Sequence, residues 1–332
     1  MFGRGYQFWM GNRLATKMKK FTSDPSELDD GNFWAVLITF EGKYHFAQFK
    51  NVEEAPFPSS EWNVLQRPWR SSLEELDYMA YVHEIRQEIG RGGVYQVNAC
   101  RELSHLIEDK KNQLAGLFAR LQYANPAPFA SYLKIPGYEI ASASPERFLS
   151  RNGREIIASP IKGTIRWDQD DFGEKDKAEN LMIVDLMRND LSQIAVDGSV
   201  NVSELFRREK HPGLTHLVSD VRAEIKDGTS WKEILAATIP PGSVSGAPKS
   251  AALSMISKHE PTPRGPYCGA LGWIHGDQAE LAVAIRTFWT TGDHWLRYGT
   301  GAGITWGSEP ALEWEETQLK ARTLIAIAGG SL

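Results

Sequence analysis

Three side chains near the C-terminus, Glu313, Glu316 and Lys320, are spaced by three and four residues, so a helix carries them on one face. The plainer reading of that face is a solvated surface with an ordinary Glu–Lys pair. The preceding segment argues for more. Tyr298-Gly-Thr-Gly-Ala-Gly-Ile-Thr-Trp-Gly reads as a loop whose alternating glycines let backbone N–H groups approach an anion closely. A carboxylate-bearing ligand held there would sit close to the start of the acidic helix, and a hard divalent cation would join the two. Mg2+ takes a few carboxylates together with substrate oxygens and water. Glu179, on another predicted helix, supplies a further carboxylate.

A second constellation is Ser144-Pro-Glu-Arg-Phe148 with Ser159-Pro-Ile-Lys-Gly-Thr164, each beside a predicted strand. Glu146 and Lys162 are its candidates for acid and nucleophile, although either alone is an ordinary surface residue. A lysine between Ile161 and Gly163 at a strand end can be partly buried, and burial or a nearby cation lowers its pKa and frees the amine for attack. Two adjacent strands would bring Glu146 to it.

Other motifs fail on inspection. Asp168-Gln-Asp-Asp-Phe-Gly-Glu with Glu179 nearly matches a calcium loop, but Phe172 offers no oxygen, and Pro160 and Gly163 forbid the usual preceding helix. Gly299–Gly303 lacks the spacing of a dinucleotide loop, and Gly246-Ala-Pro-Lys-Ser250 lacks the upstream glycine of a P-loop. No zincin or hydrolase-elbow motif occurs, and the histidines show no ligand spacing.

The elements that must position these residues follow from pattern. Phe33–Phe40 and Tyr44–Phe49 read as a hairpin, and Ala55–Trp69 as a Pro- and Trp-rich loop. Ser72 and Glu75 have capping-box spacing, which predicts a helix to about Gly90. Helices are also predicted at Leu103–Leu121, Lys175–Ile194, Trp231–Ala237, Lys249–Lys258 and Glu309–Ala328. Strands are predicted at Val94–Arg101, Ser131–Ile135, Glu139–Ser142, Glu155–Ala158 and Leu214–Ile225. They continue at Tyr267–Ile274, Ala279–Trp289 and Trp295–Gly299. Strand runs without regular βαβ alternation argue for an α+β fold rather than a doubly wound one.

The chain has 332 residues, of which 42% are apolar and 24% charged, with a formal net charge of -5. That length makes two lobes or one large layered domain. Nothing global points to nucleic acid, and the basic clusters Lys17–Lys20 and Arg207–Lys210 are short and interrupted. The two cysteines, Cys100 and Cys268, stand far apart in sequence and predict neither a disulfide scaffold nor a thiolate metal site. No apolar run is long enough to span a membrane, and Met1–Met10 has no signal-type apolar stretch. A reducing cytoplasm is the expected location.

Taken in order, these segments resemble the chorismate-utilising enzymes, the family of anthranilate, aminodeoxychorismate, isochorismate and salicylate synthases. The matching blocks are Val94-Tyr-Gln-Val-Asn, Ser144-Pro-Glu-Arg-Phe, Pro160-Ile-Lys-Gly-Thr and Ala178–Asp190. They continue with His216-Leu-Val-Ser, Pro241-Gly-Ser-Val-Ser-Gly-Ala-Pro-Lys249, Pro263–Gly269, Ala284-Ile-Arg-Thr287, Gly299–Ile304 and Glu313–Lys320. The resemblance runs from about Leu73 to the C-terminus. Residues 1–72 are expected to be a shortened N-terminal region contributing strands, and residues 73–332 the chorismate-binding catalytic region, the two forming one compact unit.

The fold so implied is two large stacked, mainly antiparallel sheets flanked by helices, with the active site between them. The resemblance implies Glu179 and Glu313 as magnesium ligands with Glu316 nearby or water-bridged. It also implies that Lys320, Arg286 and Tyr267 hold the substrate carboxylates and enolpyruvyl group, helped by backbone N–H groups near Gly301 and Gly303. His216 would lie close to the ring carboxylate, and Thr164 joins the substrate-binding set. In this family Pro-Ile-Lys-Gly-Thr marks the aminodeoxychorismate synthases, whereas anthranilate synthases usually have alanine in place of the lysine, here Lys162. Water-adding members carry a lysine base where this chain has Gln96. Both positions imply amination para to the ring carboxylate, with ammonia from a glutamine amidotransferase partner, since no glutaminase is recognisable in the chain. The Leu-Leu-Glu-Ser type segment that helps larger members bind tryptophan is not found, so tryptophan feedback is not expected. The rival readings are an anthranilate synthase component I, an isochorismate or salicylate synthase, and a non-catalytic anion- or calcium-binding protein using Asp168–Glu179.

Overall fold

The computed structural model describes residues 5–58, 61–107, 113–166, 172–211 and 214–332. The first strands are β1 (Gln7–Met10), β2 (Arg13–Thr22), β3 (Phe33–Ile38), β4 (Tyr44–Glu54), β5 (Leu65–Pro68) and β6 (Arg70–Ser71). Helix α1 (Glu75–Gly90), β7 (Gln96–Leu106), α2 (Leu114–Ala124), β8 (Phe129–Ile135) and β9 (Tyr138–Ser144) follow. Next come β10 (Arg147–Asn152), β11 (Glu155–Ser159), β12 (Ile161–Arg166), α3 (Glu174–Ser192), β13 (Asn201–His211) and β14 (Leu214–Glu224). Then come α4 (Trp231–Thr238), β15 (Gly246–Ala247), α5 (Lys249–His259), β16 (Ala270–His275) and β17 (Gln278–Val283). The chain ends with β18 (Thr287–Thr290), β19 (Trp295–Ile304), α6 (Pro310–Ala328) and β20 (Gly329–Ser331).

All strands except β5 and β20 join one continuous antiparallel ladder. One half runs β7, β19, β18, β9, β8, β1, and the other β4, β3, β16, β17, β10, β11, β14, β13, with β2 joining β1 to β4. The halves are joined a second time because two strand pairs cross between them. Strand β9 continues into β10, and β17 into β18, with β9 on β18 and β10 on β17. At that crossing Val283 N–H donates to the Glu146 carbonyl and Ala143 N–H to the Arg286 carbonyl, both at 3.0 Å. The expected α+β architecture of stacked antiparallel sheets is present, as a single ladder curled on itself. Buried side chains of β7 and β19 (Val97, Ala99, Ala302, Ile304) share one core with Leu37, Ile38 and Leu271 of the other half.

The sequence explains these layers. Strand β3, Phe-Trp-Ala-Val-Leu-Ile, is buried along its whole length, as a strand covered on both faces must be. In α6 the buried Trp314, Thr317, Ala321, Leu324, Ile325 and Ala328 recur at helical spacing. Trp314 packs into the first core, while Ala321, Leu324, Ile325 and Ala328 belong to a second core with α2, β8, β9 and β18. Full burial of side chains such as Trp34 or Leu37 contributes about 1.5–3 kcal/mol each.

Several local expectations are corrected. Leu103–Leu106 continues β7 rather than opening a helix, because it pairs with β19 down to Trp295. Ser72 does not cap α1: its hydroxyl accepts the Glu102 N–H, and the N-cap is Glu74 without a side-chain cap. The Ala55–Trp69 loop contains β5, which pairs in parallel with β20. The glycine segment Gly299–Gly303 is strand, not loop, and the expected strand Ala279–Trp289 is broken before Arg286, whose φ is 50°. No helix among the described residues is long and apolar enough to cross a membrane.

Candidate active site

Lys162 lies on β12 at an irregularity: Ile161 pairs with Val218 and Thr164 with His216, leaving Lys162 and Gly163 opposite one residue of β14. Such a bulge re-aims a side chain. Gly163 has φ 84°, and a Cβ there would stand 2.9 Å from the Asp176 Cβ. Only glycine lets β12 come this close to α3, the helix that bears Glu179. The Lys162 Nζ donates to the Ser243 carbonyl at 2.9 Å. Burial lowers its pKa below the ordinary lysine value, opposed by the charges of Glu179 and Glu146, while Lys320 lowers and Glu316 raises it further. Four of the expected site residues therefore surround a fifth within electrostatic reach.

Glu146 stands just before β10, where the chain crosses between the halves, and is 3% exposed. Burial raises its pKa, against a hydrogen bond from the Ser243 side chain, the Lys162 charge and the Ile161 backbone. One carboxylate oxygen, Oε1, is buried with no hydrogen-bond partner. A carboxyl whose pKa burial raises, beside an amine whose pKa burial lowers, is the arrangement an acid–nucleophile pair needs.

The opposite wall is β19. Its ladder with β18 ends at Tyr298, while its ladder with β7 continues to Ile304, so among the described residues no strand flanks the second edge beyond Tyr298. The Gly301 carbonyl faces that edge and accepts Lys320 Nζ at 3.2 Å. N–H and C=O of one strand residue point to the same side, and the pattern repeats every second residue. Gly301 and Gly303 thus turn their N–H groups to the open edge, as the anion reading requires, but from a strand. A Cβ on Gly301 would meet Cys100 Sγ at 2.5 Å, and one on Gly303 would meet Gln96 Nε2 at 2.6 Å and Glu179 Oε2 at 3.8 Å. Gln96 is 1% exposed, and its Oε1 has no hydrogen-bond partner.

The remaining expected groups lie on α6, on β14 and in the segments flanking β16 and β18. On α6, Glu313 is buried, and Glu316 forms an ion pair with Lys320 at 2.5 Å. Tyr267 is buried with its ring against Gly299, and burial pushes its phenol well above the ordinary value. The part-buried Arg286 has its pKa lowered by burial, against the nearby Tyr298 phenol. Buried His216 lies on β14 opposite Thr164 and Glu209. The Thr164 side chain and residues 167–171 of the calcium-like segment lie outside the described residues. Cys100 and Cys268 are both free, buried and adjacent, although far apart in sequence.

Among the described residues no three His, Cys, Asp or Glu side chains form a preassembled metal cage. The donor set still suits Mg2+, which takes one or two carboxylates and completes its shell with substrate oxygens and water. Glu313 is a buried carboxylate, and Glu179 presents an oxygen to the β19 backbone. Lys249, which ends the P-loop-like segment, is structural: it pairs with Asp190 at 2.7 Å. Ser243 was not among the expected residues; its signal was the run of small residues Gly242–Gly246, which a tight buried turn requires.

The chain matches the chorismate binding enzyme family over residues 32–326. It is 35% identical to aminodeoxychorismate synthase component 1 of Salmonella typhimurium over 312 residues, 88% of this chain and 68% of that one. It is 37% identical to anthranilate synthase component 1 of Neisseria meningitidis serogroup B over 270 residues, 78% of this chain and 54% of that one. Against aminodeoxychorismate synthase component 1 of Escherichia coli the identity is 34%, covering 82% of this chain and 62% of that one. The chain thus spans about half to two thirds of the length of these relatives. In fold it is similar to a putative isochorismate synthase, DhbC, from Bacillus anthracis (TM-score 0.82, 20% identity, 98% of this chain and 96% of that one). It is equally similar to anthranilate synthase component I from Streptococcus pneumoniae (TM-score 0.80, 21% identity, 98% and 91%). On the extent of the family match and of its relatives' identity, the chain belongs to the chorismate binding enzymes.

Proposed function

We propose that the chain is component 1 of an aminodeoxychorismate synthase, which converts chorismate and ammonia to 4-amino-4-deoxychorismate, a precursor of p-aminobenzoate and folate. The ammonia would come from a glutamine amidotransferase partner. The observation that carries this reading is Lys162, a part-buried amine of lowered pKa held by the Ser243 carbonyl beside the buried acid Glu146.

In this reading the Lys162 amine attacks the ring carbon next to the one bearing the carboxylate. The ring double bonds shift, the C–O bond to the hydroxyl breaks, and Glu146 gives its proton to the departing oxygen, which leaves as water. Ammonia then adds where the hydroxyl stood, the double bonds shift back, and the C–N bond to Lys162 breaks. One hard displacement becomes two allylic ones. Arg286, Tyr267, Lys320 and the Gly301 and Gly303 N–H groups hold the substrate's carboxylates, with His216 beside the ring. Mg2+, held by Glu179 and Glu313 with Glu316 nearby, would supply positive charge for the ring carboxylate and draw electron density from the adjoining double bond.

The comparable identity to anthranilate synthases supports a second reading, in which ammonia adds at the carbon that Lys162 is proposed to attack. Purified protein with chorismate, Mg2+ and a high concentration of ammonium salt separates the two by chromatography. A product that aminodeoxychorismate lyase turns into p-aminobenzoate supports the first, and anthranilate the second. In Lys162→Ala that product should fall by about two to four orders of magnitude while chorismate still binds. Full activity in Lys162→Ala would exclude the covalent route. Chelation of Mg2+ should stop turnover in the unmodified protein, and undiminished turnover would remove the metal from the mechanism.

A further inference from the structure

Lys162 comes from β12 and Glu146 from the segment between β9 and β10, and each has freedom that a two-step reaction must restrain. One residue touches both. Ser243 lies in a buried one-turn helix, Gly242–Val244, between α4 and β15. Its carbonyl accepts Lys162 Nζ at 2.9 Å, and its hydroxyl is bonded to the Glu146 carboxyl.

The turn that presents Ser243 is braced on several sides. The Val244 carbonyl accepts Arg264 Nη1 at 2.9 Å, and Arg264 in turn is held by Glu260 at 2.6 and 2.7 Å, a pair that is almost wholly buried. The Ser245 hydroxyl donates to the Pro241 carbonyl at 3.1 Å, and the Ser245 carbonyl accepts Asn98 N–H at 2.9 Å. Lys249 ties the following helix to Asp190 of α3. Together these contacts brace the turn that carries a single serine.

We propose that Ser243 is a positioning residue for the reaction proposed above. Its carbonyl holds the Lys162 amine, and its hydroxyl, which rotates, follows the proton state of Glu146. When Glu146 is ionised the hydroxyl donates to it; when Glu146 is protonated the hydroxyl oxygen can accept. Among the described residues the charged groups that act on Glu146 are Lys162 from β12 and, through Lys162, Glu179 from α3 with Glu316 and Lys320 from α6. The inference rests on the Lys162–Glu146 reading.

The test is steady-state turnover of chorismate with ammonium and Mg2+ by Ser243→Ala, Ser243→Cys and Ser243→Thr, followed across pH. Loss of a hydrogen bond to a charged group predicts a kcat lower by about ten- to a hundredfold in Ser243→Ala and Ser243→Cys. KM for chorismate should stay within about threefold, because Ser243 acts on the acid and not on substrate. The hydroxyl stabilises ionised Glu146, so removing it should move the alkaline limb to higher pH. Ser243→Thr keeps the hydroxyl and should restore rate and limb. In a Glu146→Gln background Ser243→Ala should cost little more. An unmoved limb, a change in KM alone, or no rescue by threonine would overturn the proposal. If the unmodified protein makes anthranilate, the product assignment falls, while the same comparison on that product still decides the role of Ser243.

Discussion

A methyl group added at Gly303 would enter the space between β19 and the Gln96 amide. Its carbon would stand 2.6 Å from Gln96 Nε2. Ordinary contact needs about 3.5 Å, so the amide would have to retreat by roughly 0.9 Å. Gln96 is 1% exposed, which leaves it little room, and Glu179 Oε2 lies 3.8 Å from the same point. Overpacking of this kind costs about 1–3 kcal/mol. Because the obstacle is the end of a side chain facing the site, the cost should fall on catalysis, as a kcat/KM lower by roughly 5- to 150-fold in Gly303→Ala. Gly301→Ala is the contrast. There the new carbon would stand 2.6 Å from the Ala99 backbone carbonyl oxygen, which cannot swing aside, so unfolding stability should drop by about 1–3 kcal/mol. Chorismate turnover and denaturant unfolding of both variants measure the two effects. Wild-type kcat/KM in Gly303→Ala together with wild-type stability in Gly301→Ala would refute the idea that these glycines exist for close approach.

The pH dependence of turnover should be bell-shaped. Lys162 must lose its proton, so activity falls as pH drops through its pKa, which burial moves below the lysine norm. Glu146 must keep its proton, so activity falls as pH rises through its pKa, which burial moves above the carboxylate norm. A Glu146→Gln variant that retains the alkaline limb would assign that limb elsewhere. Glu260→Ala, which strands Arg264 in the core, should lower unfolding stability by about 3–5 kcal/mol in denaturant titration, and a loss below about 1 kcal/mol would mean that water reaches the guanidinium.

The placement of several candidate residues on shared elements was legible in sequence, and the elements themselves less so. Glu313, Glu316 and Lys320 were readable because helical spacing alone puts them on one face. The same rule found Lys175–Ile194, which the structure gives as α3. Strand β19 was half missed because glycines leave no side-chain alternation to read, and in isolation such a segment resembles a loop. Ser72 was read as a cap on a local pattern, yet its hydroxyl serves β7 instead, a partner thirty positions away. Ser243 carried only the signal of the tight turn around it: its proposed role depends on a carbonyl and on which strands pass beside it. The adjacency of Cys100 and Cys268 is likewise a product of topology.

The crossing of β9–β10 with β17–β18 has a consequence for how this protein can change. Glu146 and Arg286 both lie at that seam, where the Val283 N–H to Glu146 carbonyl and Ala143 N–H to Arg286 carbonyl bonds hold their backbones in place. Every residue but proline carries the same N–H and carbonyl, so substitutions other than proline leave those bonds in place. Side chains in the two cores can drift, and loops can lengthen, with the backbones at that seam held. Such changes alter the lifetime of the folded state well before they alter the reaction. A lineage built on this seam can therefore vary the residues around it while the backbones at Glu146 and Arg286 stay in register.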